Sequence, residues 1–259
     1  MKNKLLMVSM VMFLVLLGLS SCSSGEDASQ AKGKVQFYVE RSLAFTRAID
    51  MTALSNTDNY IIDIYDAEGK VLMSKALGEI EESTVELEAG TYRLVAHYGE
   101  SKPASQDALM MKGEAAFSVE AGKVSEVGVT CTPVSAKVMV DFGEKMETYF
   151  SDYYVTYTTK ALNEEGTSAI WSKTNTDPWY LLVENDETVK AVIHVTRKSD
   201  GKSATIERQH NLSAGKAWTL TIEAKEEEVP SGDATITITI DDTTNDKEET
   251  IIVPNNWWM

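Results

Sequence analysis

The stretch TVELEAGTYRLVAHY, Thr84–Tyr98, decides the fold. Val85 and Leu87 alternate with acids, the period of a strand with one buried face. After Glu88-Ala89-Gly90, Tyr92, Leu94 and Ala96 alternate with Arg93, Val95 and His97. The segment therefore predicts two strands and a tight turn, with Gly90 expected to supply a positive φ.

The same pattern continues outward in both directions. KVQFYVE (34–40) places Val35, Phe37 and Val39 on one face. NYIIDIYD (59–66) places Tyr60, Ile62 and Ile64 opposite Asp63, and DAEG (66–69) closes it. EAAFSVEAGKVSEVGVTC (114–131) repeats strand, glycine turn, strand, with Cys131 on the buried face beside Val127 and Val129. Pro133 interrupts the alternation and SAKVMVDF (135–142) restarts it. Further strands are expected in YYVTYTT, PWYLLVE, TVKAVIHVTRK, SATIERQHNL, KAWTLTIEA, DATITITIDD and ETIIVP, with turns at KSDG (198–201) and SAGK (213–216). ASQDALMMKG (104–113) is the best helix candidate, and AKEEEVPSGD (224–233) reads as a solvated loop. An all-β chain follows, with two β-sandwiches in tandem at 34–133 and 134–259. No exact repeat occurs, but the phrases EAGTYRL, EAGKVSEV and SAGKAWTL recur across the halves, which reads either as one sandwich design used twice or as the common grammar of β-turns.

The amino end carries a different signal. Lys2 and Lys4 precede a run from Leu5 to Leu19 that is apolar apart from Ser9, a signal-peptide length and short of the roughly twenty residues of a membrane span. Leu-Ser-Ser-Cys22 fits the bacterial lipobox, so residues 1–21 are expected to leave and Cys22 to carry the diacylglyceryl and fatty-acyl (palmitate-type) anchor. The polar stretch 22–33 reads as a tether. Glu26 and Asp27 resemble the export signal of surface lipoproteins in Gram-negative anaerobes, which places the protein on the outer membrane, facing outward.

The formal net charge is −16, and removal of Lys2 and Lys4 deepens it. Such acidity repels phosphate backbones and disfavours nucleic acid as a partner. The three histidines, His97, His194 and His210, all fall at positions expected to face outward, and none has metal-ligand spacing. No phosphate loop or nucleophile elbow occurs. Asp242, Thr244 and Asp246 alternate as calcium ligands would, without the glycine such a loop needs, so a solvated hairpin tip is preferred and no cofactor is expected. The residues give no enzyme. All five tryptophans, Trp171, Trp179, Trp218, Trp257 and Trp258, lie in the second half, as core packing or as a platform for sugar rings.

Taken together, the lipobox, the phrase Leu87-x-x-Gly90-x-Tyr92-x-x-x-Ala96, the phrase Gly113-x-x-x-Phe117-x-Val119-x-x-Gly122 and a second β-domain resemble the fimbrillin-like proteins of the type V pilin superfamily. The resemblance implies transthyretin-like, Greek-key sandwiches and a role in surface adhesion or pilus assembly. It also implies strand exchange: a trypsin-like protease cuts after an arginine beyond the first strand, here Arg41 or Arg47, and a partner's strand fills the vacated groove. Partners would be other pilin subunits or surface ligands. The terminal segment with Ile251, Ile252, Val253, Trp257 and Trp258 is a candidate donor strand, or it completes its own domain. A monomeric glycan- or ligand-binding lipoprotein using exposed tryptophans is the alternative.

Overall fold

The computed structural model describes residues 31–42, 54–226, 234–241 and 247–252. Its first half holds eight strands: β1 (Lys32–Arg41), β2 (Ile61–Tyr65), β3 (Val71–Ala76), β4 (Thr84–Glu88), β5 (Gly90–Tyr98), β6 (Ala104–Ser105), β7 (Met111–Val119) and β8 (Val124–Pro133). Their order, omitting β6, is β3-β2-β5-β7-β8-β1-β4. The β7–β8 link is narrow, pairing only Met111 with Pro133 and Lys112 with Thr132. Beyond those pairs the strands part, and β3-β2-β5-β7 covers β8-β1-β4 across one core. Tyr60, Ile62, Ile64 and Leu94 on one layer and Val35, Phe37, Val129 and Cys131 on the other share that core, as the alternation predicts.

The opening stretch differs from its expectation in one respect. β4 and β5 are not partners: β4 pairs with β1 and β5 with β2 and β7. Residues 88–90 cross from one layer to the other, and Gly90 is not among the glycines of positive φ. Gly69, Gly122, Gly201 and Gly215 do take that conformation, at the four other turns read from sequence.

The second half comprises β9 (Ser135–Phe142), α1 (Met146–Tyr149), β10 (Phe150–Thr158), α2 (Lys160–Glu164), β11 (Ala169–Ser172), β12 (Trp179–Leu182), β13 (Glu187–Arg197), β14 (Ser203–Leu212), β15 (Ala217–Glu226), β16 (Ala234–Asp241) and β17 (Lys247–Ile252). The sheets run β11-β10-β13-β14 and β17-β16-β15-β9-β12-β6. This repeats the first half strand for strand. β1 lies between parallel β8 and antiparallel β4, and β9 lies between parallel β15 and antiparallel β12. The layer β3-β2-β5-β7 likewise corresponds to β11-β10-β13-β14. The matched turns EAGK (120–123) and SAGK (213–216) are topologically equivalent, whereas EAGT (88–91) is a layer crossover whose counterpart is the β12–β13 link. The β16–β17 hairpin is the addition that the first half lacks.

Residues 104–113 are not helical. Ala104 and Ser105 form β6, which pairs with Leu181 and Tyr180 of β12, and Met111 already belongs to β7. Short backbone runs next to an unpaired strand edge gain more from ladder hydrogen bonds than from one isolated helical turn. Through β6 the first half edges the second half's sheet, and Gln106 Nε2 donates to Asn175 Oδ1 at 3.0 Å. β12 serves both cores: Tyr180 packs into the first and Leu181 into the second.

Gly113 marks the corner where β7 leaves β8. A Cβ there would lie 2.4 Å from the Thr130 carbonyl oxygen and 2.9 Å from Val129 Cγ2. Gly113→Ala should therefore cost about 1–3 kcal/mol, from overpacking against backbone that cannot yield. A urea melt will show it as a lower midpoint at unchanged slope.

Candidate functional site

β1 is the strand on which strand exchange would act, and its seat is built from both neighbours. Val35 and Phe37 are completely buried, Val39 half so, while Lys34, Tyr38 and Glu40 face out. Parallel pairing with β8 runs from Lys34–Val124 to Arg41–Cys131, and antiparallel pairing with β4 from Lys32–Glu88 to Gln36–Thr84. Phe37 meets Phe117 edge-on, with centroids 6.0 Å apart. At its start β1 lies hard against the β7–β8 turn: a Cβ on Gly33 would be 2.3 Å from the Glu120 carbonyl oxygen. The Gly122 N–H donates to the Lys32 carbonyl and the Lys34 N–H to the Lys123 carbonyl, both at 2.8 Å. The ladder thus begins at Lys32, two residues before the strand expected from sequence.

Arg41 is exposed but is the last residue of β1, not part of a following loop. The next N–H, of Ser42, donates to the Cys131 carbonyl at 3.0 Å, so the bond after Arg41 is held in the ladder. Cys131 is buried, with Sγ 3.4 Å from the Ala96 carbonyl, and burial pushes its thiol up to about 11. That is an inert packing thiol. Ile251 and Ile252 close β17, where they pair with Ile236 and Thr235 of the chain's own β16. Cys22, Arg47, Val253, Trp257, Trp258, Asp242, Thr244 and Asp246 lie outside the described residues. Among the described residues no group of three His, Cys, Asp or Glu side chains is placed to hold a metal ion.

The three described tryptophans belong to a chain of aromatic contacts in the second core, not to an exposed platform. Trp179 meets Trp171 at 6.1 Å, Trp171 meets Tyr157 at 5.1 Å, Tyr157 meets His210 at 5.4 Å, and His210 stacks flat on Trp218 at 4.5 Å. His210 therefore faces inward, against the outward orientation expected from sequence. Polar Arg208 and His210 sit on the same alternating face of β14 as Ala204, Ile206 and Leu212, which disguised that face. Both His210 nitrogens are buried without a hydrogen-bond partner. Burial pulls its pKa down to about 4.

That depression makes stability pH-dependent. Above pH ~6.5 His210 is neutral both folded and unfolded. As pH falls from there toward 4, only the unfolded chain takes the proton, so stability falls through that window and levels off below it. A loss of about 1–3 kcal/mol is expected. His194, also lowered by burial, adds in the same direction. His210→Phe keeps the stack and removes the titration. It should be at least as stable as the wild type at pH 7, with a smaller loss at pH 4.5, read by urea melts at both values.

Residues 31–255 match the family described as a domain of unknown function, DUF4493, and the chain belongs to that family. No curated protein matches. Among solved structures, the fold is similar to a "putative cell adhesion protein" from Bacteroides eggerthii (13% identity, 82% of this chain and 96% of that one, TM-score 0.45). It is similar to "putative polysaccharide binding proteins" from Bacteroides thetaiotaomicron (11% identity, 88% and 99%, TM-score 0.44). It is also similar to the fimbrial anchor protein Mfa2 from Porphyromonas gingivalis (11% identity, 82% and 97%, TM-score 0.40).

Proposed function

We propose that this chain is a non-enzymatic cell-surface protein of fimbrillin-like type, lipid-anchored to the outer membrane through Cys22, that takes part in adhesion or pilus assembly by β-strand exchange. The observation that carries the proposal is the seat of β1. The first strand of the described chain fills a central slot of its layer, with Val35 and Phe37 in the core and partners on both sides. Its departure would leave two strand edges and an apolar trough, the receptor that β-augmentation requires. An N-terminal strand can leave without unthreading the rest of the chain.

The division at residues 133/134 belongs to the same proposal: β1–β8 form the exchanging unit and β9–β17 the second one. Processing is assigned to Arg47 in preference to Arg41, because a protease must pull its target bond into an extended, free conformation and the bond after Arg41 is laddered to β8. The pairing of Ile251 and Ile252 with β16 favours the terminal strand completing its own domain over its donation. The alternative of glycan capture by tryptophans rests on Trp257 and Trp258 alone, since Trp171 is buried and Trp179 and Trp218 pack on the core.

An immunoblot of the outer-membrane fraction, run with and without boiling, tests the assembly role. Strand-exchanged polymers should appear as a ladder that collapses on heating to a band shortened at Arg47. A single full-length mature band in both lanes would exclude a polymerising subunit.

A further inference from the structure

We propose that the concave outer face of β10, β13 and β14 is a binding site for a neutral saccharide, with the sugar seated on the Tyr154–His194 stack and hydrogen-bonded by Asp152. The face holds a cavity of about 450 Å³ lined by Asp152, Tyr154, His194, Thr196, Ser203 and Thr205 among others. That volume falls within the range of small-ligand sites. The register sets these six side chains in two parallel rows. Asp152, Thr196 and Ser203 are neighbours across the three strands, and Tyr154, His194 and Thr205 are neighbours one step along. A register shift between Phe150 and Asp152 bends β10 at the cavity's edge.

The chemistry of the rows is selective. Tyr154 and His194 stack at 4.3 Å and 9°, a half-buried pair of parallel rings in which each leaves one face uncovered by the other. Burial lowers the His194 pKa, so the ring is neutral at pH 7 and offers one donor and one acceptor. Thr196 Oγ1 and Ser203 Oγ lie 2.9 Å apart, and Thr205 adds a third hydroxyl. Asp152 is the one charged group in the lining, an acceptor for two vicinal hydroxyls. Two of the flanking cations are paired, Lys190 with Glu207 at 3.4 Å and Arg197 with Asp200 at 2.6 Å. A carboxylate in an acidic protein rejects anions. Quaternary ammonium recognition uses cages of several ring faces, whereas here two rings cover one another. A ring with one apolar face and a rim of hydroxyls is what remains.

The repeated topology supplies an internal control. The corresponding face of the first half, on β2, β5 and β7, is closed by ionic contacts: Asp63 with His97 at 3.3 Å, Arg93 with Glu114 at 3.3 Å, and Lys112 with Glu114 at 2.7 Å. Arg93 also lies 4.1 Å over the Tyr65 ring. The same sheet is therefore filled in one copy and left open, with stacked rings, in the other.

Saturation-transfer NMR on the mature chain tests the site, using methyl glycosides of glucose, galactose and mannose and N-acetylglucosamine, with tetramethylammonium for comparison. At least one saccharide should receive saturation on its ring protons, with a Kd of millimolar order. Asp152→Asn, an exposed and nearly isosteric change, and Tyr154→Ala should each weaken it about tenfold or more. Circular dichroism of both variants should match the wild type. The proposal is overturned if no saccharide binds, if tetramethylammonium alone binds, or if saccharide binding survives Asp152→Asn at full strength. It does not depend on strand exchange, and a chain that fails to polymerise should still bind.

Discussion

Phe37→Ala should lower stability by about 3–5 kcal/mol, the usual loss for a large aromatic ring removed from a closed core. Phe37 is 1% exposed and contacts Phe117 across the two layers, so the truncation leaves a void that neither layer can close. The loss should concentrate on β1, because the strand's other buried anchor, Val35, is smaller and sits nearer its start. Weakening the seat should let the strand's end peel from β8. Trypsin should then cut at Arg41 far faster than in the wild type, where the bond that follows is pinned to Cys131. Urea denaturation followed by intrinsic fluorescence, with mass spectrometry of the tryptic products, reads both effects. Wild-type resistance at Arg41 in the variant would mean that β1 is held by its ladder alone.

Trp171→Ala is the second large effect, again about 3–5 kcal/mol, this time in the other core. Trp171 is fully buried and joins Trp179 to Tyr157. The change should strike β10, β11 and β13 first. Because Tyr180 and β6 tie the halves together, the damage should spread across the junction. A single cooperative transition with a lowered midpoint is therefore expected in place of two separate ones. Tryptophan fluorescence and far-ultraviolet circular dichroism should move together.

Much of this architecture was legible because one-faced strands alternate. Tyr60, Ile62 and Ile64, or Tyr153, Val155 and Tyr157, announce the buried side without help from the fold. What escaped was decided by pairing at a distance. β3 hid because it is an edge strand with Val71 and Leu72 left exposed, so its alternation has no buried side to display. β11 is four residues long, too short for a period to show. Nothing local in Glu88-Ala89-Gly90 distinguishes a hairpin turn from a layer crossover, and only the choice of β1 as partner of β4 does so. Likewise, β6 becomes a strand because β12 offers it an edge.

The site follows the same division. The first strand, with Arg41 after its last apolar residue, could be picked out from the sequence. That the bond following Arg41 is laddered to β8 could not, because it depends on the parallel partner. His210 was misplaced because a polar residue on an inner face looks like one on an outer face. The Tyr154–His194 cleft left no mark in the sequence: its six polar or aromatic side chains come from three strands and meet only through register. Alternation alone would have listed them as ordinary outward-facing residues.

The central claim is that β1 is a separable plug in a preformed slot. The most direct measurement uses a chain that begins at Ser42 together with a synthetic peptide of residues 32–41. Thermal melts are recorded with and without the peptide. If the account holds, the shortened chain melts well below the full one and the peptide raises its Tm in a concentration-dependent way. A peptide with Phe37→Ala should fail to do so. If the shortened chain melts like the full one, or ignores the peptide at millimolar concentration, β1 is not a plug and strand exchange at this slot is wrong.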